Sequence, residues 1–158
     1  MAISREVLAK VPAFDTELGP GTAGTGDDTL FSYQVKKAGY RVVSAFDIAV
    51  EHHFDASRLL RSSFLRAAQQ QGQTMAYLAH HWEHTTVPCL GQRLVEGIRA
   101  LTESRQRAPQ ALSQTEGMPR EEMLLVRDMH LYKGYLAEQQ RPRNYEPYGL
   151  VKIRHQEE

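Results

Sequence analysis

From Ser57 onward the apolar residues recur at helical spacing. Leu60, Phe64, Ala68, Met75, Leu78 and Trp82 mark one stripe, interrupted near Gly72, and Leu90, Leu94, Ile98 and Leu101 mark a second. A third helix is predicted to open at Pro119. Glu121 and Glu122 stand in its first turn, where the helix dipole favours acids, and Leu125, Met129, Tyr132 and Leu136 form its apolar face. Pro142 and Pro147 end it. Before it, residues 104 to 118 are polar and carry Pro and Gly, which predicts a loop or linker.

The front of the chain has a different pattern. Residues 4 to 10 predict a short helix with Ser4 as N-cap and Pro12 as a stop. A loop rich in Gly, Pro and Thr follows over residues 19 to 26. Residues 28 to 38 then read as a helix, with Leu30, Phe31, Val35 and Ala38 on one face and Gly39 at the C-terminal cap. Residues 41 to 45 and 48 to 52 are short and rich in Val and Ile, and both read as strands. Two short strands do not make a stable sheet alone. Either the helices cover them, or strands from elsewhere complete the sheet. There is no internal repeat.

A chain of 158 residues suits one domain and can bury a core. Apolar residues make up 41% and charged residues 24%, the balance of an ordinary globular protein. With 19 basic and 19 acidic residues the formal charge is zero, which gives no electrostatic reason to expect nucleic acid. Cys89 is the one cysteine, so an internal disulfide and a four-cysteine zinc site are excluded, and a reducing, cytoplasmic setting is expected. The N-terminal residues lack the apolar core of a signal peptide, and no stretch reaches the roughly 20 apolar residues that span a bilayer. Peripheral attachment to the inner face of a membrane is compatible with this.

Gly26-Asp27-Asp28 places two carboxylates at a predicted helix N-terminus after a glycine-rich loop. The free amides and dipole there favour the ionised form, and an ionised carboxylate in a cleft can act as a general base. Read locally, the simpler role is to cap the helix. His52 and His53 end the second expected strand and point to opposite faces, so only one of them can serve a given site. In His80-His81-Trp82-Glu83-His84, His80 and His84 share a helical face, but the Glu is misplaced for a zincin motif and spacing identifies no third ligand. Imidazoles near the negative pole of a helix end are the simpler reading. Residues 19 to 24 match Gly-x-Gly-x-x-Gly formally, yet no apolar strand precedes them, so a loop beside a site is the better reading.

Taken in order, residues 2 to 54 carry a more specific pattern. Ala2-Ile3-Ser4-Arg5-Glu6-Val7-Leu8 is followed by Phe14-Asp15, and then by Gly26-Asp27-Asp28 with Leu30 and Phe31. After these come Ala38-Gly39-Tyr40-Arg41-Val42, Phe46-Asp47 and His52-His53. This series resembles the second half of the family 2 glycosyltransferases, which have the GT-A fold. The resemblance covers about a third of the chain closely; the helical remainder is similar only in general character. It implies an α/β fold, a partial GT-A-type transferase with short strands early and helices after residue 57. Residues 1 to 56 would be the acceptor-side part of the catalytic domain and residues 57 to 158 a C-terminal helical region.

The resemblance also implies chemistry. The family transfers a sugar with inversion from a nucleotide-diphosphate sugar, using a divalent metal such as Mg or Mn, to an acceptor hydroxyl on a glycan or lipid-linked molecule. Asp28 matches the catalytic base, Asp27 stands where Glu is usual, and His52 matches the histidine that helps hold the metal or the diphosphate. The family's Asp-x-Asp metal motif and the Gln-x-x-Arg-Trp motif of processive members are absent from this sequence. A non-processive transferase portion is therefore expected, inactive by itself and completed by an N-terminal half or by self-association. Two rival readings are a non-catalytic helical protein-interaction domain and a metal-dependent hydrolase built on His80, His81 and His84.

Overall fold

The structure is a computed structural model and describes residues 2–11, 14–19, 21–22 and 24–153. Helix α1 spans Arg5–Lys10 and α2 spans Asp27–Lys37. A 3-10 turn, Ala56–Leu59, leads into α3, Arg61–Tyr77, which runs on into a single π turn, Leu78–Trp82. Helix α4 is Leu90–Arg107, α5 is Gln110–Ser113 and α6 is Arg120–Glu138. Residues 141–153 form an irregular strap after α6.

Helices α3 and α6 make the principal contact, and α4 lies against α6. The pairing of positions gives the directions. Arg61 meets Glu122, Gly72 meets the backbone around Arg127 and Leu131, Ala76 meets Gly134, and His81 meets Glu138, so α3 and α6 run parallel. Ser104 meets Glu121, Gly97 meets Met129 and Arg93 meets Tyr132, so α4 runs antiparallel to α6. Gly72 makes the α3–α6 crossing possible. A Cβ there would lie 2.2 Å from the Arg127 carbonyl oxygen and 2.8 Å from the Leu131 nitrogen, closer than any side chain can approach. The glycine that looked like an interruption of α3 is its tightest packing point.

Apolar side chains fill the bundle in two clusters. Ala68, Leu101 and Val126 are buried with Leu65, Met123 and Met129 around them, and Ala76, Ala79 and Tyr135 are buried nearer the π turn. The front of the chain joins on through a third cluster, Leu18, Leu30, Tyr77, Leu78, Trp82 and Tyr145. In it, α2 meets the π turn and the strap. The fourth cluster, Val7, Val11, Phe31 and Val35, packs α1 on α2. Gln34 of α2 and the Trp82 indole both donate to the Gly149 carbonyl, which ties the strap over this junction.

The expected α/β fold is not what forms. Among the described residues the elements are helices, and the only strand-like pairings are two isolated bridges, Leu18 with Gly24 and Leu60 with Glu116. Residues 41 to 45 and 48 to 52 lie on either side of a turn at Phe46 and Asp47 without regular secondary structure, and no strand pairs with either. Their Val and Ile residues favour extended backbone. A sheet also needs a neighbour to take the ladder hydrogen bonds, and none of the described segments supplies one. The apolar side chains therefore stay in solvent: Val43 is 73% exposed, Phe46 96% and Val50 87%. The GT-A sheet implied by the resemblance is absent from the described residues. Two smaller differences lie farther along. Residues 104 to 107 belong to α4, and α5 sits inside the expected linker. Ser4 occupies the N-cap position of α1 without a side-chain cap bond, and Pro12 lies outside the described residues.

Candidate active site

The Gly26-Asp27-Asp28 turn is set by close packing. Gly26 has φ 98, a left-handed conformation that side chains rarely adopt, and a Cβ there would fall 2.8 Å from the Thr74 methyl carbon. At Gly24 a Cβ would fall 2.9 Å from the Thr74 hydroxyl, and at Gly19 3.1 Å from the Asp27 carboxyl carbon. Thr74, buried on α3, accepts from the Thr25 N–H at 2.8 Å and returns its own hydroxyl to the Thr25 carbonyl. The loop before α2 is thus pinned to α3 by one threonine, and the small residues let it come close.

Helix α2 begins at Asp27 with Gly26 as N-cap and has no side-chain cap bond. The capping role that local sequence favoured for the two aspartates is not the one they take; both lie in the first turn. Asp27 is half-buried against Gly19. Asp28 is exposed, and its Oδ1 accepts from the neighbouring Thr29 hydroxyl at a long 3.3 Å. Asp28 therefore keeps most of its acceptor capacity for an outside donor, in a position where the helix dipole supports its charge.

His52 is not at the end of a strand. It is exposed in the unpaired segment, with its ring 4.2 Å from that of Phe54, while His53 makes an exposed contact with Glu51 at 3.3 Å. Among the described residues no three His, Cys, Asp or Glu side chains come together in a way that could hold a metal ion. Among the described residues, His52 and the two aspartates do not come together as such a group.

His80, His81 and His84 have a different use: all three hold the strap. His80 Nε2 lies 3.1 Å from the Arg141 carbonyl, and His84 Nε2 lies 2.8 Å from the Tyr145 carbonyl. His81 Nδ1 accepts from the Asn144 N–H at 3.2 Å, which places its proton on Nε2, 2.9 Å from the Glu138 carboxylate. Burial holds His80 below the ordinary imidazole value, as a ring out of water resists a second proton. The hydrolase reading loses its ligands to these contacts.

The structure also shows a polar centre that residue patterns did not suggest. The Asp15 side chain is fully buried, 0% exposed. It accepts from the Tyr77 hydroxyl at 2.5 Å, the Tyr145 hydroxyl at 2.7 Å, Lys152 Nζ at 2.8 Å and the Glu17 N–H at 2.9 Å. Burial by itself would raise this carboxyl. The Lys152 ammonium, the two phenols and the amide more than offset it and hold Asp15 below the ordinary carboxylate value. Burial and the adjacent carboxylate push Tyr77 and Tyr145 up, so both phenols stay protonated as donors. Glu17 continues the network by accepting from Arg141, from Asn144 at 2.9 Å and from Lys152 at 2.6 Å. The only sequence cue was the pair Phe14-Asp15 within the ordered series; Asp15's partners lie far along the chain.

No helix among the described residues is long and apolar enough to cross a membrane. Comparison of the chain with protein-family models, with curated proteins and with solved structures found no match.

Proposed function

We propose that this chain supplies the acceptor-side base of an inverting glycosyltransferase, with Asp28 as that base, and that it works together with a donor-binding portion. The observation that carries the reading is the state of Asp28. It stands in the first turn of a helix whose start is fixed by Gly26 and Thr74, it caps nothing, and its carboxylate faces solvent. The ordered series from Ala2 to His53 adds support. In the proposed reaction the acceptor oxygen bonds to the anomeric carbon while the bond from that carbon to the diphosphate breaks. The acceptor proton passes to the Asp28 carboxylate, and the electron pair leaves with the diphosphate. Among the described residues no group could hold a metal ion, and in this reading the donor pocket and the Mg or Mn ion belong to the other portion.

The test is Asp28→Asn in the complete enzyme, with a nucleotide-diphosphate sugar as donor. Transfer should fall by roughly two to four orders of magnitude, the usual contribution of a positioned base, with donor affinity nearly unchanged. Transfer that survives at wild-type rate would remove Asp28 from the role. One observation favours a second reading, a helical protein-interaction module. The exposed apolar segment and α1 and α2 enclose a groove of about 700 Å³ lined by Val7, Phe31, Val42, Val43 and Val50. Activity that persists in Asp28→Asn but is lost on charging Val43 and Val50 would favour that module.

A further inference from the structure

A cavity of about 530 Å³ lies between α3, α6 and the loop around Thr22. Small-molecule pockets span roughly 300–1,000 Å³, so it has room for a hexose-sized ligand. Its two acids are already committed. Glu17 holds Arg141, Lys152 and Asn144, and Glu138 holds His81 and Arg141. The Thr22 hydroxyl lies within bonding distance of the Gly19 and Gly24 carbonyls. Three lining side chains have no ion pair or hydrogen bond to any described residue: the Lys133 ammonium, the His130 imidazole and the Gln73 amide. All three can donate, and they come from two helices that Gly72 and Gly134 bring together. Burial and the nearby Lys133 charge hold His130 below the ordinary imidazole value.

We propose that this cavity binds the phosphate group of a small soluble phosphate ester, with Lys133 supplying the charge and His130 and Gln73 the flanking hydrogen bonds. Three donors on two helices suit the several oxygens of a tetrahedral oxyanion better than the two in-plane oxygens of a carboxylate. Leu18 and Tyr77 give the organic part of the ester an apolar wall. Asp27 and Asp28 do not line the cavity, so this proposal and the transferase reading stand or fall separately.

The probes are inorganic phosphate, glucose 6-phosphate and glucose, titrated into the intact chain at constant ionic strength and followed by amide and His130 ring resonances. Saturable shifts are expected at Gln73 and at residues 130 to 134, with phosphate affinity on the order of millimolar, tighter binding of the ester and no response to glucose. Lys133→Met should weaken binding about tenfold, and Lys36→Met, an exposed change elsewhere on α2, should leave it unchanged. Both lysines are exposed, so both variants should fold, and the amide spectrum checks this. Absence of saturable shifts up to about 50 mM phosphate, or equal affinity in Lys133→Met, overturns the proposal. So does binding to phosphatidic acid vesicles that Lys133→Met leaves intact while glucose 6-phosphate produces no shift.

Discussion

Replacing Asp15 by Asn keeps the shape of the side chain and removes its charge. It also turns one acceptor oxygen into an NH2 donor that faces groups which are themselves donors. Tyr77 and Tyr145 both approach Oδ2, while Lys152 and the Glu17 N–H approach Oδ1, so either orientation of the amide opposes two donors. Removing one partner from a buried charge pair costs about 3–5 kcal/mol when the remaining charge is stranded. Here Lys152 keeps Glu17 at 2.6 Å and is itself 31% exposed, so the lower end applies, about 3 kcal/mol. Trp82 is the one tryptophan and lies in the same cluster as Tyr77 and Tyr145, so its fluorescence reports unfolding of this junction directly. With a slope of about 2 kcal/mol per molar urea, the midpoint should fall by about 1.5 M.

The pH dependence gives a second reading of the same group. The folded carboxyl of Asp15 lies below the unfolded value of about 3.9. Its contribution is therefore fully present above pH ~4 and is lost as the pH falls through the folded value, because in that window the unfolded chain binds more protons. The gap between wild type and Asp15→Asn should be constant from neutral pH down to about 5 and narrow below about 4. Glu17, Glu122 and Glu138 are also held low, so the variant keeps an acid limb of the same sign, only shallower. A difference under about 0.5 kcal/mol at neutral pH, the size of an ordinary surface change, would refute the idea that Asp15 organises this junction.

Two further changes test the bundle. Gly72→Ala should cost about 3 kcal/mol or prevent folding, because backbone, which cannot rotate away, meets the new methyl group. In thermal unfolding that is a fall of roughly 6–12 °C, whereas Gly91→Ala, facing open space on α4, should raise stability by up to about 1 kcal/mol. Glu122, 3% exposed by side chain, bridges Arg61 and Arg105, so Glu122→Gln should lower stability by about 3 kcal/mol in urea titration. Its low carboxyl value gives the same sign as Asp15, and the loss should shrink in acid.

What the sequence made legible follows the range of the physics involved. Helices α2, α4 and α6 begin within two residues of their predicted starts, because apolar spacing, first-turn acids and a glycine after α2 are local signals. The Asp15 centre was not legible. Its partners Tyr77, Tyr145 and Lys152 lie 62, 130 and 137 residues away, and nothing local marks them. The histidines at 80, 81 and 84 were visible as a group but not in their use. The π turn carrying His80 and His81, with His84 just beyond it, sets all three against the strap, whose carbonyls and amide make an unmarked partner, while the Glu138 side chain at the end of α6 holds His81.

The failed strands show a different limit. Val42, Val43, Ile48 and Val50 favour extended backbone, yet residues 41 to 52 form no strand, so local preference did not decide the structure. A strand is stable only as one member of a ladder, and an amphipathic pattern states that a partner is needed without saying where it is. The absence of a sheet and the exposure of Val43, Phe46 and Val50 are therefore one fact seen twice. Asp28 does not share this dependence. Gly26, Thr74 and the α2 backbone fix it within the described residues, whatever happens to residues 41 to 52. The placement of Asp28 therefore does not depend on the expected sheet, whereas that of His52, in the unpaired segment, does.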